Sequence, residues 1–241
     1  MELLAAGEQF LMEQAMGLLD GVMEYREMMM AYSCAIKEVR TKFDVLDTEF
    51  HVRNQRNPIS TIHTRLKSQT SILEKMNRIG YAPTVENIVT HLNDIAGVRV
   101  ICAYVDDIYE IADALIRQDD IHLIRKKDYI ANPKPNGYRS LHLIVSVPVF
   151  FAESKKEMKV EVQIRTIAMD FWASLEHQIK YKKDISNAEE IIGRLKNCAD
   201  VIAGTDLEMQ KIRRQIEKEA GTSVESETVL ERLKKLDVPI V

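Results

Sequence analysis

Leu141 to Val147 reads LHLIVSV and Lys159 to Arg165 reads KVEVQIR, and these two runs decide the fold class. In the first, Leu141, Leu143, Val145 and Val147 alternate with His142, Ile144 and Ser146. In the second, Val160, Val162 and Ile164 alternate with Glu161, Gln163 and Arg165. Successive side chains of a strand point to opposite faces, so each run predicts a strand with one core face. Ala152 to Glu157 between them suits a short hairpin.

Working upstream, Lys127 to Ser140 reads KDYIANPKPNGYRS. Its prolines, asparagines and glycine make it turn rather than continue an element. It also carries Lys127, Lys134, Tyr138 and Arg139. Cations and an aromatic ring on a shaped loop suit an anionic, planar ligand such as a nucleotide; a surface loop with solvated charges is the other reading. Ile121 to Arg125 and Val98 to Tyr104 read as further strands, with an amphipathic helix over Asp107 to Arg117. DIAGVR (94–99) follows a helical segment, Val85 to Leu92, and Gly97 permits a turn or a close backbone approach. From Arg53 to Gly80 the chain turns basic: Arg53, Arg56, Arg65, Lys67, Lys75 and Arg78 meet a single acid, Glu74. Pro58 ends any helix there, and Ile59 to Leu66 suits a short strand or turn. Ser71 and Glu74 have capping-box spacing for the next helix, on which Ser71, Lys75 and Arg78 share a face. A solvated helix face is the alternative.

The flanks are helical. Residues 8–50 carry apolar side chains at helical spacing, rich in methionine, which predicts burial against other helices and a tendency to subunit contacts. Thr166 opens a helix through about Tyr181, with Asp170, Ser174 and His177 on one face. Ala188 to Lys218 is helical, Gly221 to Glu227 a hinge, and Thr228 with Glu231 caps a last helix bearing Leu230, Leu233 and Leu236. The sum is an α+β fold: a mixed, roughly five-stranded β-sheet flanked by helices, with N- and C-terminal helical extensions.

The 241 residues suit one domain, and the net charge of −4 leaves no global basic field to recruit nucleic acid. Cys34, Cys102 and Cys198 are scattered, without zinc spacing, as in reduced cytosolic proteins. The acidic start, MELLAAGEQFLMEQ, is unlike a signal peptide, and no apolar run is long enough to span a membrane. A cytoplasmic protein is expected.

Two carboxylates stand out. Asp94 precedes one strand and Glu161 sits on the polar face of another. If they meet, they suit Mg²⁺, which takes one or two acids plus substrate phosphates. The cations of Arg65 to Arg78 would then stabilise a polyphosphate. Neither a P-loop nor a dinucleotide-binding glycine motif is present, so a nucleotide would be gripped by side chains. A turn cap for Asp94 and an exposed strand position for Glu161 remain open.

Four blocks in order, Arg65 to Arg78, DIAGVR (94–99), KDYI (127–130) with KPNGYRSLH (134–142), and EVQIRT (161–166) with Phe171, Trp172, Glu176 and His177, resemble the RelA/SpoT synthetase domain. The short length and terminal helices resemble its small alarmone synthetases, the RelQ-like branch. The resemblance implies a nucleotidyltransferase-like fold in a single synthetase domain, residues 1–241. Its catalytic core would cover about residues 45–185, with terminal helices 1–50 and 186–241 for packing and oligomerisation.

The resemblance also implies a GTP/GDP diphosphokinase: the β,γ-diphosphate of ATP moves to the 3′-hydroxyl of GDP or GTP, giving AMP and ppGpp or pppGpp. By it, Arg65 and Arg99 sandwich adenine, and Lys67, Ser71, Lys75 and Arg78 grip the ATP phosphates. Asp94 and Glu161 hold Mg²⁺, and Glu161 takes the hydroxyl proton. Tyr138 stacks on guanine and Lys127 and Lys134 hold acceptor phosphates. Gln163, His142, Glu176 and His177 line the acceptor pocket, with Asp170 where asparagine is usual. Thr64 stands where glycine is expected, and Lys127 where arginine is common. A homotetramer is implied, and single-stranded RNA is a further partner to consider. The segment Ile59 to His63 has no Phe or Tyr, which argues against activation by pppGpp. The chain has no His-Asp pair, so hydrolase activity is not expected. The alternatives are a diphosphotransferase acting on tRNA or adenine nucleotides, and a non-catalytic nucleotide- or RNA-sensing oligomer.

Overall fold

The structure is a computed structural model that describes residues 2–54, 56–180 and 188–223. Five strands form one sheet: β1 (Ile59–Leu66), β2 (Ala96–Cys102), β3 (His122–Asp128), β4 (Leu141–Phe150) and β5 (Lys155–Thr166). Their spatial order is β1-β2-β5-β4-β3. Only β2 and β5 pair in parallel; the other neighbours are antiparallel. The described helices are α1 (Glu2–Asn54), α2 (Gln69–Ile79), α3 (Val85–His91), α4 (Val105–Ile116), α5 (Ile167–Lys180) and α6 (Ala188–Ser223). The α+β fold with a mixed five-stranded sheet expected from the two alternating runs is the one observed.

The alternation sets one face of the sheet. Val98, Val100, Leu141, Leu143, Val145, Val160, Val162 and Ile164 are all buried in the core. Against them lies α1, whose Met28, Ala31, Tyr32, Ala35, Val39, Phe43 and Leu46 recur at helical spacing and are buried. The methionine-rich helix therefore packs chiefly on the sheet, not on other helices as its composition suggested. Met28 is buried while Met30 stays largely exposed. Burying each large apolar side chain contributes roughly 1.5–3 kcal/mol, so this helix-on-sheet layer dominates the core. The opposite face of the sheet is left for polar residues.

Several boundaries differ from the sequence reading. Helix α1 is continuous from Glu2 to Asn54, longer at both ends than the helical pattern over residues 8–50. Strand β3 runs on to Asp128, so the Lys127–Ser140 stretch begins as strand. Helix α2 is capped by Ser68, whose hydroxyl accepts from the Ser71 amide; Ser71 lies inside the first turn and is not the cap. The serine three residues upstream wins because it alone has the extended backbone of a cap, with φ −67° and ψ 152°. Gly97 lies within β2, and a Cβ there would sit 3.6 Å from the Arg65 carbonyl oxygen, an ordinary contact. It is therefore not a turn glycine; its smallness keeps volume open on the polar face. Helix α6 extends to Ser223, through the start of the expected hinge. The last helix, from Thr228, lies outside the described residues.

An ionic cluster ties the periphery together. The Asp107 carboxylate, on α4 and buried, receives Arg56 from the segment before β1 and Arg213 from α6 at 3.1 Å. Its Oδ2 has no partner in hydrogen-bonding geometry. Removing one member of a buried ion pair leaves the others unmatched. Asp107→Ala is expected to lower unfolding free energy by about 3 kcal/mol, read as a shift in the urea midpoint at constant slope.

Candidate active site

The strand registers assemble the polar face. Across the sheet, His63 pairs with Arg99, Arg99 with Gln163, Gln163 with His142, and His142 with Lys127. The adjoining row runs Arg65, Gly97, Glu161, Ile144 and Arg125. Directly paired residues share a face. Side chains from three sequence-distant blocks thus stand side by side. A cavity of about 320 Å³ opens here, lined by His63, Arg65, Lys67, Asp94, Arg99, Glu161 and Gln163 among others. Gly97, opposite Glu161, also lines it, and any larger side chain there would project toward the same space.

The carboxylates are compensated by neighbours. Asp94 Oδ2 accepts from Lys67 Nζ at 2.9 Å, and Oδ1 lies 2.7 Å from Lys75 Nζ. That second contact is an ion pair by distance, while Oδ1 lacks a partner in hydrogen-bonding geometry. The proximity of the charges matters more than the angle, because Coulomb attraction depends weakly on direction. Burial pushes the Asp94 pKa up, but Lys75 and Lys67 outweigh it and hold the carboxyl below its ordinary value. Burial likewise raises Glu161, and bonding to His142 and Gln163 outweighs burial and the nearby Asp94 charge, so its pKa is lowered too. Both groups are anionic at neutral pH.

A hydrogen-bonded chain leads from Glu161 to the loop. His142 Nδ1 is 3.4 Å from Glu161 Oε1, and His142 Nε2 is 2.8 Å from the Tyr138 hydroxyl. Arg165 donates to that hydroxyl at 2.6 Å and to Gln163 Oε1 at 2.8 Å. The chain runs from Arg165 to the Tyr138 hydroxyl, from that hydroxyl to His142 Nε2, and from His142 Nδ1 to Glu161. Arg165 also reaches Asp170 Oδ1 at 3.2 Å, and Arg99 reaches the same oxygen at 3.3 Å. The carboxylate at position 170 therefore bridges two guanidiniums, a charge-assisted role that an asparagine would fill more weakly.

Tyr138 is half-buried, with the Lys134 ammonium 4.6 Å and the Arg165 guanidinium 5.1 Å from its ring centre. Lys134 also lies 4.7 Å from the Tyr129 ring. The loop backbone turns tightly, with Gly137 N–H donating to the Lys134 carbonyl at 2.8 Å. Glu176 is buried on α5 and accepts from Asn136 of the loop at 3.0 Å. Among the residues singled out by sequence, Arg65, Lys67, Asp94, Arg99, Glu161 and Gln163 line the cavity. Lys75, His142, Tyr138 and Asp170 join it through the contacts above. Lys127 reaches the same face through its register with His142. Ser71, Arg78 and His177 lie outside the cavity lining. Two residues without an assigned role prove central: Arg165, buried at the hub of the network, and Tyr129, edge-on to both Tyr138 and His142. The outward alternation of β5 already put Arg165 on the polar face.

The carboxylate pair fits a hard divalent cation. Both groups face one cavity and both are held ionised. Among the described residues no cluster of three or more His, Cys, Asp or Glu forms a complete metal cage. That suits a cation completed by substrate phosphates and water.

The region found in RelA / SpoT proteins matches residues 64–186, which holds every residue of this cavity except His63. The chain belongs to the RelA/SpoT family. It is 40% identical over 200 residues to the GTP pyrophosphokinase YwaC of Bacillus subtilis, covering 83% of this chain and 95% of that one. The crystal structure of small alarmone synthetase 2 from Bacillus subtilis superposes with a TM-score of 0.72 at 40% identity, covering 80% of this chain and 99% of that one. Small alarmone synthetase 1 from the same organism, bound to its product pppGpp, gives a TM-score of 0.71 at 34% identity, with 80% and 98% covered. Residues 188–223, helix α6, fall beyond the matched family region.

The lowered pKa of Asp94 has a consequence for stability. A carboxyl whose folded pKa lies below its unfolded value stabilises the fold above the unfolded value, and that contribution is lost as pH falls through the folded one. The stability difference between the protein and Asp94→Asn should therefore be constant around neutral pH and shift toward the variant as pH drops below the ordinary carboxylate range. Urea titrations at stepped pH measure it.

Proposed function

We propose that the chain is a GTP/GDP diphosphokinase that moves the β,γ-diphosphate of ATP to the 3′-hydroxyl of GDP or GTP, releasing AMP and forming ppGpp or pppGpp. The observation that carries this reading is the single polar sheet face on which two ionised carboxylates lie beside Arg65, Lys67, Lys75 and Arg99. Such a face can receive a polyphosphate and a nucleophile together. The likeness to pyrophosphokinases over most of both chains supports the same chemistry.

In this reading Arg65 and Arg99 hold adenine, and Lys67, Ser71, Lys75 and Arg78 take the triphosphate. Lys67 and Lys75 already converge on Asp94, so a phosphate group entering the cavity meets cations in place. The acceptor's guanine is held by Tyr138, with Gln163, His142, Asp170, Glu176 and His177 around it, and its phosphates by Lys127 and Lys134. The 3′-oxygen attacks the β-phosphorus, the bond from that phosphorus to the α,β-bridging oxygen breaks, and AMP leaves with that oxygen. Glu161 accepts the hydroxyl proton, assisted by its orientation from His142 and Gln163. Asp94 and Glu161 are the residues that would hold Mg²⁺, which would supply charge neutralisation for the transferring group. Cation and carboxylate positions fixed before substrate arrives cost no reorganisation during transfer.

The exposed apolar side chains of α1, including Leu19, Val22, Met23, Val45 and Val52, support subunit contacts, and we assign a homotetramer in a cytoplasmic setting. Val45 and Val52 line an apolar groove with Thr41, Asp44, Thr48, Glu49 and Arg53. No helix of the described residues is long and apolar enough to cross a membrane. Light scattering should return about four times the 27.7 kDa chain mass.

The deciding assay is nucleotide chromatography after mixing the protein with ATP, Mg²⁺ and either GDP or GTP. AMP and a 3′-diphosphorylated guanine nucleotide should appear in equal amounts. Glu161→Gln or Asp94→Asn should cut kcat by roughly 100-fold or more while the protein stays folded. Full activity in either variant would sink the assignment of the two carboxylates.

A further inference from the structure

Helix α6 lies beyond the matched family region, yet it touches the loop at the residues on either side of Tyr138 in sequence. Gly137 has φ +89°, and a Cβ there would come within 2.6 Å of Ala199 Cβ and 3.3 Å of Lys196 Cα. The helix surface therefore rests directly on the loop backbone. One residue past Tyr138, Arg139 donates to the Ala199 carbonyl and to Asp200 Oδ1, each at 3.1 Å, and to the Gly137 carbonyl at 3.3 Å. Tyr138 itself packs against the small apolar cluster of Trp172, Ala173 and Ala199. The Trp172 indole donates to the Leu195 carbonyl at 2.9 Å, joining α5 to the same turn of α6.

The helix is anchored further along. Thr166, at the end of β5, donates to Asp206 at 2.6 Å. Gln210 and Arg214 bond Asp106, and Arg213 pairs with Asp107, both on α4. The turn that carries Ala199 thus has fixed points on the sheet and on α4. Arg139, grouped by sequence with the loop cations suited to a nucleotide, is spent on the helix instead.

We infer that the Lys196–Asp200 turn of α6 is a positioning element for the acceptor nucleotide, with Gly137, Arg139, Ala199 and Asp200 as its positioning residues. A loop without regular structure must be ordered before it can hold a ligand, and ordering costs conformational entropy. Clamping it in the folded protein moves that cost from binding to folding. Disturbing the clamp therefore weakens the acceptor site and leaves the ATP side, built on β1, α2 and β2, as it was. This inference rests on the acceptor reading of the Tyr138 loop given above.

The test is steady-state kinetics of the full chain with ATP and GDP varied separately, for Ala199→Leu and Asp200→Lys. The first pushes a larger side chain into the Gly137 backbone; the second sets a cation against Arg139. Position 200 is exposed, its side chain at 54% in the ion pair, so Asp200→Lys leaves folding intact. KM for GDP should rise about tenfold in Ala199→Leu and about threefold in Asp200→Lys, with KM for ATP within about twofold. An unchanged KM for GDP, an equal rise in both KM values, or a fall in kcat alone would overturn the inference. Should Ala199→Leu fail to fold, Asp200→Lys decides. Should the unmodified protein fail to convert GDP, the diphosphokinase reading fails instead, and calorimetric titration of GDP into the same variants then decides the clamp by the same fold-changes.

Discussion

The parallel pairing of β2 with β5 is the constraint on which the site depends. It is the one parallel junction in an otherwise antiparallel sheet, and it sets Gly97 opposite Glu161 and Arg99 opposite Gln163. Because side chains alternate strictly, a slip of one residue would turn Glu161 and Gln163 into the core and expose Val160 and Val162. The buried valines therefore enforce the register that places Glu161 and Gln163 on the open face. Hydrophobic burial under α1 and the placement of the carboxylates above it are one choice, not two.

On the open face the charges balance locally. Lys67 and Lys75 meet Asp94, His142 and Gln163 meet Glu161, and Arg99 and Arg165 meet Asp170. Isolated ions at this depth would be costly to keep ionised. Pairing them lets a chain with net charge −4 gather several cations in one cavity without a global basic field. The same pairing keeps both carboxylates in the form that can accept a metal ion or a proton.

Much of this was legible in the sequence, for a physical reason. The alternation of 141–147 and 159–165 reports directly which side chains face the core, so the outward set of Glu161, Gln163 and His142 followed from it. Asp94 and the Arg65 to Lys75 cations stood out by composition. What the sequence could not express was the partner of each group. Nothing local to Arg165 shows that it will be buried against Tyr138 and Asp170, since those contacts depend on the loop folding back over β5. The start of α2 hid in a similar way: the Ser71 and Glu74 spacing points to Ser71, whereas the backbone angles put the cap at Ser68. The role of α6 was invisible because the residues it contacts lie some 60 positions upstream.

The outermost strand β3 presents His122, Arg125, Lys126 and Lys127 to solvent. A sheet edge carries unpaired backbone groups that invite strands from other chains, and clustered positive charge is a common defence against that. Lys127 and Arg125 thus have two duties: they extend the two cross-strand rows of the polar face, and they stop the sheet from growing outward. Neutralising them would therefore strip the border of its protection, and the sheet would gain an edge open to self-association.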